Sequence, residues 1–142
     1  MRIGFKFLLT GICSILIVSA IPGTAQQAPA FKPVATVKQL MEALIIPASD
    51  QIFQLAAEGP KTSDEWTAVR NSAIVLAESG NLLMIGRRAP DNKAWTKESQ
   101  ALIAAAQDAI KAVDTKNAEA LMEAGNQVYE VCDSCHKQYM KQ

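Results

Sequence analysis

A fold for this chain has to present Cys132, Cys135 and His136, from the run Cys132-Asp133-Ser134-Cys135-His136, to one common partner. In the spacing C-x-x-C-H the two thiols add across the vinyl groups of a haem, and the following imidazole turns toward the iron as proximal ligand. Residues at i, i+3 and i+4 of a helix share one face, so a helical last segment brings all three side chains to one planar group. Other readings of the same residues are weaker. A disulfide or thioredoxin-like pair belongs at the start of a helix inside a βαβ unit, where the helix terminus lowers the thiol pKa, and no strand pattern surrounds this one. A structural zinc site needs four ligands, whereas the chain has one histidine and its third cysteine, Cys13, lies in a segment expected to be removed. A chance match in an ordinary helix is the last alternative. The expectation is one haem c per chain, covalently attached.

The N-terminus is consistent with haem attachment outside the cytoplasm. Residues 1–25 open with Arg2 and Lys6, continue through the apolar run Phe7 to Ala20 and close on Gly23-Thr24-Ala25, a pattern expected of a cleaved secretory signal peptide. The apolar run is too short to span a bilayer comfortably. Ile12 stands where a lipoprotein signal would want a small residue before Cys13. The expected product is an exported, periplasmic protein of bacterial type with no stable membrane insertion, whose remaining cysteines are both in the motif. Loss of Arg2 and Lys6 from fourteen basic residues leaves twelve against fourteen acidic ones, so no basic excess points to nucleic acid.

Residues 26–35, with Pro29 and Pro33, read as an extended leader, and residues 36–142 as one domain of four helices with no convincing strand. The first helix runs from about Val37 to Ala57, with Val37, Leu40, Met41, Leu44, Ala48, Ile52 and Leu55 on one stripe, and stops before Gly59-Pro60. Pro47 lies inside it and removes the hydrogen bond to the Ala43 carbonyl, which predicts a kink or break. The second helix starts at Thr62-Ser63-Asp64-Glu65 and turns Trp66, Val69, Ala73, Leu76, Gly80 and Leu83 inward. The third, from about Lys93 to Val113, buries Trp95, Leu102, Ala106, Ile110 and Val113. After a turn at Asp114 to Asn117, the fourth carries Leu121, Gly125, Val128, Cys132, Cys135 and Tyr139 on its buried face. Amphipathic helices with short connections predict an all-α, antiparallel four-helix bundle with the haem on its C-terminal helix.

A four-helix chain with C-x-x-C-H near its C-terminus resembles the cytochrome c′ and cytochrome c-556 family. Cys132, Cys135, His136 and Tyr139 match the family pattern C-x-x-C-H-x-x-Y; the arginine that usually follows is Met140 here, with Lys137 and Lys141 nearby. The resemblance implies a distal position in the first helix, filled by methionine in low-spin members and by a blocking apolar residue in high-spin ones. Met41, in Val37-Lys38-Gln39-Leu40-Met41, takes that place, although the family's arginine one turn earlier is Val37 with Lys38 beside it. His136 is the only histidine, so the sixth position is left to methionine, lysine, water or nothing. A methionine on an apolar stripe also serves simply to fill a core. Met84 and Met122 read as core or surface packing, Trp66 and Trp95 as core or rim aromatics, Tyr129 and Tyr139 as haem neighbours, and Arg87 and Arg88 as a solvated loop.

With Met41 on the iron, the expected role is soluble electron transfer; with an open sixth position behind an apolar lid, it is binding of nitric oxide or carbon monoxide. Peroxidase chemistry lacks a distal histidine or evident general base, so no enzyme is expected. The redox partner proteins are unspecified by the sequence. The resemblance also implies a possible homodimer through the first two helices, for which Ile45 and Ile46 are candidate exposed contacts.

Overall fold

Among the described residues, each of the four long helices begins beside a side chain that accepts otherwise orphaned backbone N–H groups. In the computed structural model, which describes residues 31–91 and 93–140, helix α1 consists of an α-helical turn Val37–Leu40, a π turn Met41–Ile45 and an α-helix Ile46–Glu58. Helices α2, α3 and α4 span Ser63–Leu83, Ala94–Asp114 and Ala118–Tyr139, and no strand occurs among the described residues. Residues 1–25, expected to be a signal peptide and including Cys13, the front of the expected leader and Lys141 lie outside the described residues. Thr36 Oγ1 accepts from the Gln39 N–H at 3.2 Å while Gln39 Oε1 accepts from the Thr36 N–H at 2.9 Å, and Thr62 and Glu65 form the same reciprocal box on α2. Asn117 Oδ1 caps α4 through the Ala120 N–H at 3.0 Å. Asp91 reaches forward to α3, its Oδ1 accepting from Ala94 at 2.7 Å and Trp95 at 3.0 Å. Short connections follow directly. Gly59, at φ 70°, closes α1, and Lys116, at φ 51°, closes α3 with Asn117 N–H bonded to the Ala112 carbonyl and Lys116 N–H to that of Val113, a Schellman end.

Pro47 does not break α1. Without an N–H it cannot bond the Ala43 carbonyl, and its ring would crowd that carbonyl in a regular helix. The chain widens into the π turn just before it, with the Ile46 N–H donating to the Met41 carbonyl, and then resumes α-helix with proline at its N-terminal end. An i→i+5 turn takes up an extra residue and shifts the phase of everything around it. Ile45, expected on the outside, is consequently buried at 4% exposure, while Ile46 remains 48% exposed. The pair expected at a dimer face is therefore reduced to Ile46.

The core is built from few large side chains and many alanines. Ile52, Val69, Leu76, Leu121 and Val128 are fully buried, joined by Ala73, Ala105, Ala106, Ala109 and Ala112. Ile110, expected inside, is half-buried; the alanines of α3 take the interior instead. Small residues let helices approach closely, and Gly80 marks the tightest place: a Cβ there would lie 2.5 Å from Ile103 Cγ1 and 2.9 Å from the Ser99 carbonyl oxygen. Ile103 can swing away, but the backbone of α3 cannot. Gly80→Ala is accordingly expected to destabilise by about 1–3 kcal/mol through overpacking, exceeding the roughly 1 kcal/mol that alanine gains as a helix former. A urea midpoint at or above that of the parent would mean that α2 and α3 are not in contact there.

The connection between α2 and α3 contains a 3₁₀ turn, Gly86–Arg88. Arg88 is not a solvated loop residue. Its Nε and Nη2 donate to the Ala35 carbonyl at 3.1 and 2.9 Å, and Nη1 donates to the Leu82 carbonyl at 2.7 Å, tying the chain entering α1 to the end of α2. Trp95 adds a second tie at the same place, its Nε1–H donating to the Leu83 carbonyl at 2.9 Å.

Candidate functional site

The two motif cysteines sit on the last turns of α4, both free and both half-buried, with His136 exposed beside them. The expected buried face of α4 holds through Leu121, Gly125 and Val128 and then opens: Cys132 and Tyr139 are only half-buried against the core, and Cys135 is half-buried without packing on it. The second half of α1 meets α4 closely, with Ala56 3.2 Å from where a Gly125 Cβ would stand and Phe53 edge-on to Tyr129 at 6.3 Å between ring centroids. The π turn in its first half packs on α2. Helix α3 still covers the motif from its own side, through Ser134 Oγ donating to Glu98 at 3.2 Å and Trp95 edge-on to Tyr139 at 4.9 Å.

Electrostatics at the thiols oppose a redox-active dithiol. Burial pushes the Cys132 thiol up, and burial, the Glu98 carboxylate and the neighbouring sulfur push Cys135 up. A nucleophilic pair needs the opposite shift. Thiols kept neutral on a half-covered apolar face, three residues apart and followed by an exposed imidazole, match the donor set that a covalent haem requires.

Met41 opens the π turn, half-buried and packed against the core, as do Val37 and Leu44 near it. The turn's packing on α2 does not bring it onto the motif. Met84 ends α2 half-buried, and Met122 is 49% exposed on α4, both in packing or surface positions. Trp66 is half-buried and Trp95 is 5% exposed.

Residue-by-residue reading overlooked a network that fixes the motif's last turn. Tyr139 Oη donates to Asp91 Oδ2 at 2.6 Å, while the other oxygen of Asp91 caps α3. The available signal was Asp91 itself, three residues before the first helical residue of α3, in the place of a cap. Burial, then the Asp91 carboxylate, pushes the Tyr139 hydroxyl up to about 12, and the Tyr139 hydrogen bond, then the Trp95 N–H, holds Asp91 below the usual aspartate value. A phenol whose folded pKa is raised contributes stability that is complete below the ordinary tyrosine value of about 10 and is lost as pH rises through the folded value. Tyr139→Phe should therefore lower the denaturant midpoint at neutral pH, with the gap to the parent narrowing between pH about 10 and 12. A gap that is constant across that window would show that the Tyr139–Asp91 bond is not what ties the two helices.

No described helix is long and apolar enough to cross a membrane. No protein-family model, curated protein or solved structure matches this chain.

Proposed function

We propose that this chain is an exported c-type cytochrome with one haem, held by Cys132, Cys135 and His136 and closed on its other side by Met41, and that it carries electrons as a soluble protein of the periplasm. The observation that carries the reading is the C-x-x-C-H run on the half-covered final turns of the last helix. The cofactor bound there supplies a one-electron ferric/ferrous couple.

The rest is the work of the side chains. Each thiol adds across one vinyl group, its sulfur joining carbon and its hydrogen passing to the other vinyl carbon, so attachment needs no oxidant. The imidazole of His136, four residues after Cys132, lies on the same helical face as the thiols. Thr36, Pro47 and Arg88 fix where α1 begins and how it turns, and so where Met41 stands.

The antiparallel bundle belongs to this reading, and pair contacts support it. A Gly59 Cβ would meet Ala118 Cβ at 3.9 Å, a Gly125 Cβ would meet Ala56, and Phe53 meets Tyr129, so numbers fall along α1 as they rise along α4. Met41 precedes Gly59 by eighteen residues and His136 follows Ala118 by eighteen. At 1.5 Å per residue both stand about 27 Å from that end, level across the bundle. Counting from Ala56 and Gly125 instead moves Met41 about 6 Å further toward the tip. A planar group between the two helices fits either count. The packing of Met41 against the core favours one second reading, in which the thioether stays in the protein and the sixth position binds nitric oxide or carbon monoxide.

The test is the mass of mature protein exported by a host with a cytochrome maturation system. It should exceed the polypeptide mass by one haem, and a Cys132→Ala, Cys135→Ala double variant should lose that increment. An unmodified chain with both thiols free overturns the proposal.

A further inference from the structure

The outer seam between α1 and α4 carries charge of one sign. No lysine or arginine occurs between Lys38 and Lys61 or between Lys116 and Lys137, the stretches that make up nearly all of both helices. Two carboxylates of these stretches are committed, Glu42 to Lys38 and Asp133 to Lys137. Asp50 on α1 and Glu119, Glu123 and Glu130 on α4 are exposed, and among the described residues none of them has an ion pair.

Spacing sets these charges beside one apolar cleft. The cleft, of about 380 Å³, lies between Phe53 and Ala57 of α1 and Met122, Gly125, Asn126 and Tyr129 of α4. Glu119, Glu123, Asn126 and Glu130 follow one another at steps of four, three and four, and Asn126 also lines the cleft, so carboxylates and cleft share one side of α4. Ile46, Asp50, Phe53 and Ala57 make the matching row on α1. Met122 and Tyr129 are 49% and 63% exposed, large apolar side chains that the fold leaves open beside one another.

We infer that this seam is the docking site of a basic partner protein, which seats an apolar side chain in the cleft while its lysines and arginines meet the carboxylates on either bank. That the partner exchanges electrons rests on the proposed haem, whose first cysteine lies three residues after Tyr129; the docking chemistry does not. A centre of tyrosine, phenylalanine and methionine inside a charged rim is the anatomy of a protein interface. The carboxylates flank the cleft and do not line it, which suits a protein rim better than a pocket for a small cation. Their fields add, drawing a basic surface in and turning an acidic one away. A second copy using the same seam would set carboxylates against carboxylates, because a two-fold contact brings one patch against itself.

A lysine-rich mitochondrial-type cytochrome c serves as the probe for the haem-loaded mature protein. Affinity is read by calorimetry, and contact by carbodiimide cross-linking, which joins a carboxylate of one protein to a lysine amine of the other. Binding should weaken by about tenfold or more from low to moderate ionic strength, with cross-links on Glu119, Glu123 or Glu130. The double variant Glu123→Lys, Glu130→Lys should weaken it by about tenfold or more at low salt, whereas Glu78→Lys, Asp108→Lys, the same change of net charge on α2 and α3, should cost less than about threefold. Met122→Ser should weaken binding several-fold without changing its salt dependence. No binding, equal effects of the two double variants, cross-links confined to α2 and α3, or parental affinity in Met122→Ser would each overturn the seam. So would a mature chain that sediments as a dimer and becomes a monomer in Met122→Ser, since a second copy would then fill the cleft. A chain that binds the probe as expected and carries no haem counts against the proposed function alone.

Discussion

Replacing Met41 by alanine is expected to convert the haem-loaded protein from a low-spin form, with the near-infrared band of methionine bound to ferric iron, into a high-spin form that binds carbon monoxide at once in the ferrous state. The expectation rests on the resemblance, which implies a distal methionine in the first helix, and on the proposed pairing of Met41 with His136 across the bundle. Met41 is the first residue of the π turn that precedes Pro47, its carbonyl accepts from the Ile46 N–H, and the turn packs on α2. In the proposed haem-loaded protein a thioether at that position would close the sixth site without any histidine, which the chain lacks beyond His136. The same ligands in both oxidation states would keep reorganisation small, and methionine ligation would raise the potential. Alanine has nothing to coordinate with, so the conversion should be complete, and because Met41 is only half-buried the structural cost should stay at or below about 2 kcal/mol. Met84→Ala and Met122→Ala should leave the spectrum alone. An unchanged spectrum in Met41→Ala would return Met41 to the core and move the function to nitric oxide or carbon monoxide binding.

Pro47 explains why part of this was legible in the sequence and part was not. That a proline inside an apolar stripe perturbs a helix follows from its missing N–H. Whether the helix breaks, kinks or widens depends on what α2 offers on the other side, and the widening turned Ile45 inward against the periodicity. Helix starts that rest on local hydrogen bonds, such as Thr62 with Glu65, were readable because donor and acceptor are three residues apart. Arg88 was not, because its acceptor is the carbonyl of Ala35, fifty-three positions away, and nothing local distinguishes a solvated arginine from one that ties two helices. At the motif, the spacing of Cys132, Cys135 and His136 carried the chemistry. Their incomplete cover is a tertiary property that no window of the sequence contains.

Leu76→Ala is expected to be the most destabilising single change in the core, at about 3–4 kcal/mol, a loss of roughly 10–20 °C in the melting midpoint of the haem-loaded protein. Leu76 is fully buried in α2, and the core around it is composed largely of side chains that are already small. An alanine neighbour has no rotamer with which to move into a vacated leucine volume, so the cavity should persist, and the cost of a large-to-small change rises with the volume left unfilled. Hydrogen bonds from Arg88 and Trp95 fix how the helices sit at one end of the bundle. Collapse by helix approach is opposed as well by Gly80, whose contact with α3 leaves no room to close further. Val75→Ala, one residue earlier and 38% exposed, should cost less than about 1 kcal/mol. If the two variants melt together, the packed centre of the bundle does not lie where α2 turns Leu76.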